Sequence, residues 1–357
     1  MKLILIGPQP QPITGLSLAN QTVLNYLPEY ANINVDCINT NYTEIKEDIG
    51  KFSLKKVFYY IKKYKELYKI KESDKVYITI GQTFFGVLKY LPYFLFSKIL
   101  KKEVIIHIHG NHLWKEYESL KGIKKKIFHK IISMADKGIV LSGSLRKNLT
   151  PFLHSNKIYI LENFVEDFII EHPRKKQFDK LKIIYLSNLM KEKGILDLLQ
   201  ALRLLQEEKI EFKAHIAGGI DNSLKTELEK ELNELSNVTY LGLVYGKEKK
   251  ELLEWGNVFI FPTYYSMEGQ PISIFEAMAT GNVILTTAHA GIPDVFNENI
   301  NGYYIKKKSP SSIVSKLVKM NKDLEKYRTM SDNNRKEAKE KYRVENFIKK
   351  LTRILED

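Results

Sequence analysis

The sequence predicts an α/β protein with two domains, each built on a parallel sheet. Short apolar runs alternate with helical stretches along the chain, which is typical of parallel sheets covered by helices on both faces. The chain has 357 residues, more than a single domain usually contains. Its second half opens like its first half, with an apolar run that leads into a glycine-containing loop. Two domains of similar construction are therefore expected.

The first domain is predicted to span residues 1–170. Its predicted strands are the apolar runs 2–7, Ile33–Ile38, Lys75–Ile80, Val104–Ile108, Lys137–Leu141 and Lys157–Leu161. Ligands of open parallel sheets bind outside the carboxyl ends of the strands. Site residues are therefore expected in the loops that follow these runs.

The loop after the first strand contains three prolines, followed by Thr14 and Gly15. Threonine is a favoured N-cap residue, so the next helix is expected to begin at Gly15. A glycine at this place lets a phosphate approach the backbone closely. The loop lacks the G-x-G-x-x-G pattern, which argues against a dinucleotide redox cofactor.

Two histidines, His107 and His109, lie at the end of the predicted strand Val104–Ile108. Strand alternation places both side chains on the same face, with His109 at the tip. Neither has the ligand spacing of a zinc site, so no metal is predicted here. From the residues alone, His109 could be a structural residue or one that contacts a ligand.

The second domain is predicted to span residues 171–335, with a polar linker at His172–Lys176. Its predicted strands are Lys182–Ser187, Phe212–Ala217, Val238–Leu241 and Val258–Phe261. The charged tail from Asn333 to Asp357 carries apolar residues at a spacing of four, which predicts one helix.

Two glutamates, Glu268 and Glu276, stand eight positions apart on either side of the break Gly269–Pro271. Proline fits the start of a helix because its missing N–H would be unpaired there anyway. Glu268 is therefore expected in a loop, and Glu276 about a turn and a half inside the following helix. The free N–H groups at that helix start suit a phosphate. Two carboxylates beside a diphosphate describe a nucleotide-sugar site, although Glu276 could instead be a solvated helix residue.

The run Glu268-Gly-Gln-Pro, four residues, then Glu276-Ala-Met-Ala-x-Gly-x-Val-Ile resembles the E-x7-E signature of the family-4 retaining glycosyltransferases of GT-B fold. The segments 291–294 (Gly-Ile-Pro-Asp) and 301–302 (Asn-Gly) also fit that family. The resemblance implies two Rossmann-like domains whose sheets face each other across a cleft. The first domain would lie on the acceptor side, and the second would bind the nucleotide-sugar. A C-terminal helix, residues 336–357, would cross back to the first domain.

The resemblance also implies roles for individual residues. Glu268 and His109 would contact the transferred sugar, and Lys193 would take up charge on the leaving diphosphate, so these three form the expected catalytic set. Asn188 stands where the family commonly has an arginine, so one phosphate cation is missing, and Lys191 could compensate. The expected donor-binding residues are Gly15, Asn188, Gly269, Gln270, Pro271, Ile272 and Glu276.

By this resemblance the chain is expected to be a hexosyltransferase (EC 2.4) that acts with retention of configuration. The donor would be a UDP- or GDP-linked sugar, and the acceptor a glycan or polyprenyl-linked intermediate of surface polysaccharide biosynthesis. No Asp-x-Asp triplet is present in the sequence, so no metal and no other cofactor are expected. One alternative is a GT-B epimerase or hydrolase that acts on the nucleotide-sugar itself and needs no acceptor.

The net charge of +14 is concentrated in one region. Between Lys51 and Lys130 there are 19 Lys or Arg and 6 Asp or Glu, a net charge of +13. This region could attract an anionic membrane surface, or its lysines could simply face water. Ile123, Ile127 and Ile131 recur among these lysines and could lie against a membrane or pack inward. A nucleic-acid-binding protein is a second alternative, but nothing resembles a nucleic-acid module, so no nucleic acid partner is expected.

The sequence holds a single cysteine, Cys37, so no intramolecular disulfide can form and a reducing compartment is expected. The N-terminus shows no cleavable signal pattern. The most apolar window, Tyr90–Leu100, is too short to span a bilayer. We therefore expect a cytoplasmic protein that could bind peripherally to the inner face of the cell membrane.

Overall fold

The computed structural model describes residues 1–42 and 54–357, and the chain divides into two compact units. Unit 1 comprises Met1–Asn163, Met267–Gln270 and Val344–Asp357, and unit 2 comprises Phe164–Ser266 and Pro271–Arg343. The first boundary therefore falls before residue 170, and the final segment of unit 1 begins after residue 336. The first residues of the predicted basic region, 51–53, lie outside the described residues.

Unit 1 contains a six-stranded parallel sheet with the strand order β2-β1-β3-β4-β5-β6. Its strands are β1 (Lys2–Gly7), β2 (Asn34–Asn39), β3 (Lys75–Thr79), β4 (Glu103–Ile108), β5 (Lys137–Val140) and β6 (Ile158–Ile160). Central strands such as β1 are buried almost throughout, because helices cover both faces of a parallel sheet. Each strand lies within about one residue of a predicted apolar run.

Unit 2 contains a second six-stranded parallel sheet, with the order β12-β11-β10-β7-β8-β9. Its strands are β7 (Leu181–Leu186), β8 (Phe212–Ala217), β9 (Val238–Tyr240), β10 (Val258–Phe261), β11 (Val283–Thr286) and β12 (Gly302–Tyr304). The last two strands were not predicted. The second of them has only three residues and begins with glycine, so it gives no strong apolar pattern, whereas the first is a short apolar run, Val-Ile-Leu-Thr.

The described residues also form helices that flank the two sheets. They are α1 (Gly15–Ala31), α2 (Leu54–Lys63), α3 (Phe84–Leu88), α4 (Leu91–Ile99), α5 (Leu113–Ser119), α6 (Gly122–Ile132), α7 (Asp167–Ile170), α8 (Ile195–Glu207), α9 (Lys225–Asn233), α10 (Gly246–Trp255), α11 (Ile272–Ala279), α12 (Pro310–Asn321), α13 (Arg328–Lys341) and α14 (Val344–Glu356). A 3₁₀ helix, Tyr64–Glu72, precedes β3. Within the described ranges, none of these helices is long and apolar enough to cross a membrane.

The charged tail is two helices and not the single helix predicted from its spacing. The break lies at Tyr342 and Arg343, between α13 and α14. The carbonyl of Tyr342 accepts a hydrogen bond from the N–H of Val165 at 2.7 Å. The ring of Tyr342 also packs edge-on against Phe275, with ring centroids 4.6 Å apart. These contacts within unit 2 hold the chain in a non-helical turn, which a local spacing pattern cannot reveal.

Helix α14 belongs to unit 1, where it packs against α1. Its apolar residues Phe347, Leu351 and Leu355 are buried. Lys137 donates to the carbonyl of Ile354 at 3.1 Å, and Lys75 donates to the carbonyl of Leu355. Lysines suit this place because the last carbonyls of a helix have no partner within the helix.

The predicted linker His172–Lys176 is wrong at its last residue. Lys176 is buried inside unit 2, where its ammonium donates to the carbonyls of Leu253, at 2.5 Å, and Glu254, at 3.2 Å. It also donates to the carbonyl of Gly256. These carbonyls form the C-terminal end of α10, so Lys176 caps that helix and does not lie in solvent.

Candidate functional site

The strand order of unit 2 reverses between β7 and β10, because β8 and β9 extend the sheet on one side and β11 and β12 on the other. Ligands of doubly wound sheets bind at such a reversal, outside the carboxyl ends of the two strands. The loop after β7 carries Asn188 and Lys193, and the loop after β10 leads into α11, which carries Glu276. The topology therefore puts these predicted residues at the usual ligand-binding edge of unit 2.

The loops after β7 and β10 are bonded to each other. The N–H of Tyr264 donates to the carbonyl of Glu192 at 2.8 Å. Gly194 has a φ of 80°, and a Cβ atom there would lie 2.5 Å from the carbonyl oxygen of Pro262. Glycine is therefore required on both counts, because it permits the left-handed conformation and the close backbone approach.

Lys193 is half-buried between aromatic rings of the β10 loop. Its ammonium lies 4.9 Å from the ring centroid of Tyr265 and 5.4 Å from that of Phe261. The ring faces attract a cation and hold the ammonium at the carboxyl end of β10. Asn188 is exposed, and its side-chain oxygen would lie 3.9 Å from a Cβ on Gly219. The asparagine side chain is neutral, so it brings no positive charge to this edge. Lys191 lies in the same turn as Lys193 and is exposed.

Glu276 is only 4% exposed, which excludes the alternative that it is a solvated helix residue. Pro271 caps α11, and Ile272 is its first residue. One carboxylate oxygen of Glu276 lies 2.6 Å from the ammonium of Lys249 on α10. Lys249 was not predicted as a site residue, because it stands among other lysines of a charged helix and no spacing distinguishes it.

Glu268 lies in the short segment Met267–Gln270, which belongs to unit 1. Its side chain is buried, with 8% exposed. This segment lies directly against the backbone that follows β4. A Cβ on Gly269 would lie 2.4 Å from the carbonyl oxygen of His109, and a Cβ on Gly110 would lie 2.5 Å from that of Met267. Two glycines thus permit the close approach that brings the Glu268 segment to the His109 backbone.

Asn163 fixes the other end of this segment. Its side-chain amide donates to the carbonyl of Gln270 at 2.7 Å, and its backbone N–H donates to the side-chain oxygen of Gln270 at 3.1 Å. Both residues are buried. The contact between Asn163 and Gln270 was not predicted, because the two residues stand 107 positions apart.

His107 and His109 lie on the same face, with ring centroids 3.9 Å apart. Nε2 of His109 is 3.1 Å from Nδ1 of His107, which is 2.5 Å from the hydroxyl of Tyr77. Burial lowers the pKa of His109 to about 3 and, together with His109, lowers the pKa of His107 well below its usual value. Both rings are therefore neutral near pH 7, and a neutral imidazole can both donate and accept a hydrogen bond.

Gly15 begins α1 as the first-strand loop predicts. Thr14 accepts from the N–H of Ser17 at 3.1 Å, and the Ser17 hydroxyl accepts from the N–H of Thr14 at 2.8 Å. This reciprocal cap fixes the helix start. The amide of Asn20 donates to the carbonyl of Pro8 at 2.8 Å, which ties the loop to the helix. Asn20 was not singled out from the sequence.

The predicted site residues are thus divided between the units. Unit 1 holds Gly15, His109, Glu268, Gly269 and Gln270, and unit 2 holds Asn188, Lys193, Pro271, Ile272 and Glu276. Among the residues that the structure describes, no group of three or more His, Cys, Asp or Glu side chains could hold a metal ion.

Residues 167–337 match the family model of the glycosyl transferases group 1. The chain is 28% identical over 152 residues to the putative colanic acid biosynthesis glycosyltransferase WcaL of Escherichia coli, and this match covers 41% of the chain and 37% of WcaL. It is 25% identical over 281 residues to the uncharacterized glycosyltransferase MJ1069 of Methanocaldococcus jannaschii, which covers 74% of the chain and 71% of that protein. The chain thus matches little more than a third of WcaL and most of MJ1069.

Among solved structures, the fold is similar to that of Anabaena HepE in complex with UDP. The TM-score is 0.77 over 100% of both chains, at 14% sequence identity. HepE has also been crystallised with UDP-glucose. The two parallel α/β sheets and this similarity confirm the predicted GT-B fold. The chain therefore has the GT-B fold, and its residues 167–337 are similar to the glycosyl transferases group 1 family.

Proposed function

We propose that this protein is a retaining family-4 glycosyltransferase that transfers a hexose from a UDP- or GDP-linked donor. The observation that carries the proposal is the pair Glu268 and Glu276, both of which are buried. A buried carboxylate at the carboxyl end of a parallel sheet is a candidate binding group, and Glu276 lies there with Lys249 as its ion-pair partner, 2.6 Å away. The similarity to HepE, which was crystallised with UDP and with UDP-glucose, supports a nucleotide-sugar as donor.

Each residue of the proposed site binds one part of the donor. Glu276 accepts hydrogen bonds from the ribose hydroxyls, and Glu268 accepts hydrogen bonds from hydroxyls of the sugar. Neutral His109 forms a further hydrogen bond with the sugar. Lys193, the first N–H groups of α11 and the backbone at Gly15 face the diphosphate, where positive charge favours departure of the leaving group.

The proposed reaction retains configuration because the acceptor attacks from the face that the diphosphate leaves. The bond between the anomeric carbon and the phosphate oxygen breaks, and its electron pair passes to the diphosphate. A new bond forms between the anomeric carbon and the acceptor oxygen, whose proton passes to the leaving phosphate. The preorganised charge of Lys193 and the helix amides stabilises the phosphate, so the proposal needs no metal and no other cofactor.

The proposed acceptor is a glycan or polyprenyl-linked intermediate of surface polysaccharide biosynthesis. The similarity to WcaL, whose name places it in colanic acid biosynthesis, supports this class of acceptor. A lipid-linked acceptor would also be consistent with a protein that binds the inner face of the cell membrane.

Turnover of UDP- and GDP-sugars by the parent protein and by Glu276→Ala tests the proposal. We expect the substitution to weaken donor binding and reduce transfer by at least about tenfold, since a hydrogen bond to a charged group contributes more than about 1.4 kcal/mol. Glu251→Ala, an exposed glutamate on α10, is the matched control. Equal turnover by Glu276→Ala and the parent would overturn the assignment.

Conversion of the donor without any acceptor would identify an epimerase or hydrolase, and loss of activity in EDTA would contradict metal independence.

The membrane part of the proposal rests on one helical layer of unit 1. The connections from β2 to β3, from β3 to β4 and from β4 to β5 all proceed in the same direction along the sheet. Because such connections are right-handed, the helices within them lie on the same face of the sheet. The most exposed apolar residues of this layer are 54–74% exposed, and they are Phe58, Ile61, Tyr68, Ile99 and Ile123. Lysines surround them in the sequence. An apolar surface rich in lysine suits an anionic bilayer.

The isoleucines of α6 show how this layer meets the core. Ile131 is 2% exposed and packs inward, whereas Ile123 is 69% exposed. The stripe therefore packs inward at the Ile131 end and is exposed at the Ile123 end. Only the Ile123 end is available to a membrane.

Sedimentation with phosphatidylglycerol or phosphatidylcholine vesicles tests this surface. We expect the protein to partition onto the anionic vesicles, and we expect Ile99→Glu combined with Ile123→Glu to abolish that partitioning. The control is Leu243→Glu, which changes a leucine of unit 2 that is 57% exposed. Equal partitioning onto both kinds of vesicle would contradict the membrane proposal.

A further inference from the structure

The side chain of Lys249 lies between two carboxylates of unit 2. Its ammonium is 2.6 Å from an oxygen of Glu276 and 2.9 Å from an oxygen of Glu166. The side chains of Lys249 and Glu276 are 13% and 5% exposed, whereas that of Glu166 is 28% exposed. The ribose contact proposed for Glu276 does not by itself explain why Lys249 and Glu166 lie beside it.

The charges in this cluster do not cancel. Burial lowers the pKa of Lys249, but Glu276 and Glu166 more than offset this effect and raise the pKa above its ordinary value, so the lysine is charged. One ammonium therefore donates to two carboxylates, and it neutralises only part of the negative charge of Glu276. A carboxylate offers about four lone-pair sites, so Glu276 can accept further hydrogen bonds while it is bound to Lys249.

The three side chains come from three separate places in unit 2. Glu276 lies on α11, Lys249 lies on α10, and Glu166 immediately precedes α7. A glutamate side chain has several rotatable bonds and would sample several rotamers if it were untethered. The contact with Lys249 removes that freedom at one oxygen. Binding groups are effective when such a neighbour holds them in a fixed geometry.

We propose that Lys249 is a positioning residue, which together with Glu166 holds the Glu276 carboxylate in the orientation that accepts hydrogen bonds from the ribose hydroxyls. Glu166 shares the ammonium, and this leaves negative charge on Glu276 for those hydroxyls. The inference rests on the proposed function, because it assumes that Glu276 binds the ribose of a nucleotide.

The test compares binding of UDP with 2′,3′-dideoxy-UDP, and of GDP with 2′,3′-dideoxy-GDP, by titration calorimetry. We expect the parent to bind the hydroxylated member of one pair about tenfold or more tightly, as the loss of a hydrogen bond to a charged group implies. In Lys249→Met the ratio of the affinities for the hydroxylated and the dideoxy nucleotide should fall toward one. Lys249→Arg should restore much of this ratio. Lys247→Met, an exposed lysine on the same helix, should keep the parental ratio.

A second variant covers the case in which Lys249→Met does not fold. Glu166→Gln preserves the side-chain size but leaves the ammonium wholly with Glu276, so the ratio should fall several-fold. Circular dichroism and thermal melting establish that each variant is folded. A role in folding alone would not change the preference for ribose hydroxyls in a folded variant.

The outcomes separate this inference from the proposed function. A parent protein that binds neither nucleotide pair would overturn the nucleotide-sugar proposal itself, and this inference with it. A parent that binds but does not distinguish the dideoxy analogues would overturn the ribose role of Glu276. If the parent distinguishes them and folded Lys249→Met and Glu166→Gln keep the parental ratio, the positioning role is wrong and the proposed function stands.

Discussion

His107 and His109 illustrate how the burial of single residues determines the chemistry available to the candidate site. The two rings are in contact, and His107 also contacts the hydroxyl of Tyr77. Burial favours the neutral form of both histidines, because a charged imidazolium loses its hydration there. His109 can therefore offer a hydrogen bond to a sugar hydroxyl at neutral pH, but it cannot supply a positive charge.

This neutrality predicts a pH dependence of stability. The pKa of His109 is about 3 in the folded protein and about 6.5 in the unfolded chain. The unfolded state therefore binds more protons between these values, and the stability contribution present above pH 6.5 is lost as the pH falls toward 3. Between pH 7 and pH 5, the parent should lose about 2 kcal/mol more of its free energy of unfolding than His109→Gln does.

Urea denaturation at several pH values measures this difference. The matched control is His154→Gln, because His154 is exposed in unit 1 and should follow the parent. If His109→Gln loses as much stability as the parent over this interval, the pKa of His109 is not lowered in the folded protein.

Among the secondary-structure elements, α10 depends most clearly on a residue outside itself. Its last carbonyls accept hydrogen bonds from Lys176, which also donates to the side-chain oxygen of Asn282 at 3.2 Å. The amide of Asn282 donates to the carbonyl of Leu253 at 2.9 Å. Two buried polar side chains thus satisfy the end of the helix that carries Lys249.

Lys176→Met should destabilise unit 2 by at least about 2 kcal/mol, because it removes the donor to the carbonyls of Glu254 and Gly256. The free energy of unfolding in urea measures the loss. Lys175→Met is the matched control, since Lys175 is exposed and adjacent in sequence; its effect should stay within about 0.5 kcal/mol. Similar stabilities for the two variants would contradict the capping role of Lys176.

Considered as a whole molecule, the protein builds unit 1 from three separate stretches of chain. The last of these, α14, covers part of α1 and supplies carbonyls to Lys75 and Lys137 of the unit 1 sheet. Unit 1 is therefore complete only when the C-terminus of the chain is present. The group 1 family match ends at residue 337 and does not include this helix.

Leu351→Ala should therefore destabilise unit 1 although the substitution lies near the C-terminus. Leu351 is fully buried, and truncating a buried leucine costs about 2–5 kcal/mol. The midpoint of urea unfolding followed by circular dichroism measures the effect, and Lys349→Ala, an exposed change on the same helix, serves as control. An unchanged midpoint in Leu351→Ala would mean that α14 does not stabilise unit 1.

Local patterns in the sequence were sufficient for most of the strands and for the loop and helix that carry the candidate glutamates. The alternation of apolar runs predicted ten of the strands that the structure contains, because buried parallel strands are apolar on both faces. The spacing from Glu268 to Glu276 and the intervening proline predicted a loop followed by a helix. These features depend on neighbouring residues and can be read without knowledge of distant contacts.

Contacts between distant residues required the tertiary structure. Lys249 meets Glu276 from 27 positions away and Glu166 from 83 positions away, and Asn163 meets Gln270 from 107 positions away. The burial of Glu276, the capping role of Lys176 and the break before α14 depend on such contacts. A charged residue looks the same in a sequence whether it is solvated or buried against a partner, because the packing of other elements determines which partner it meets.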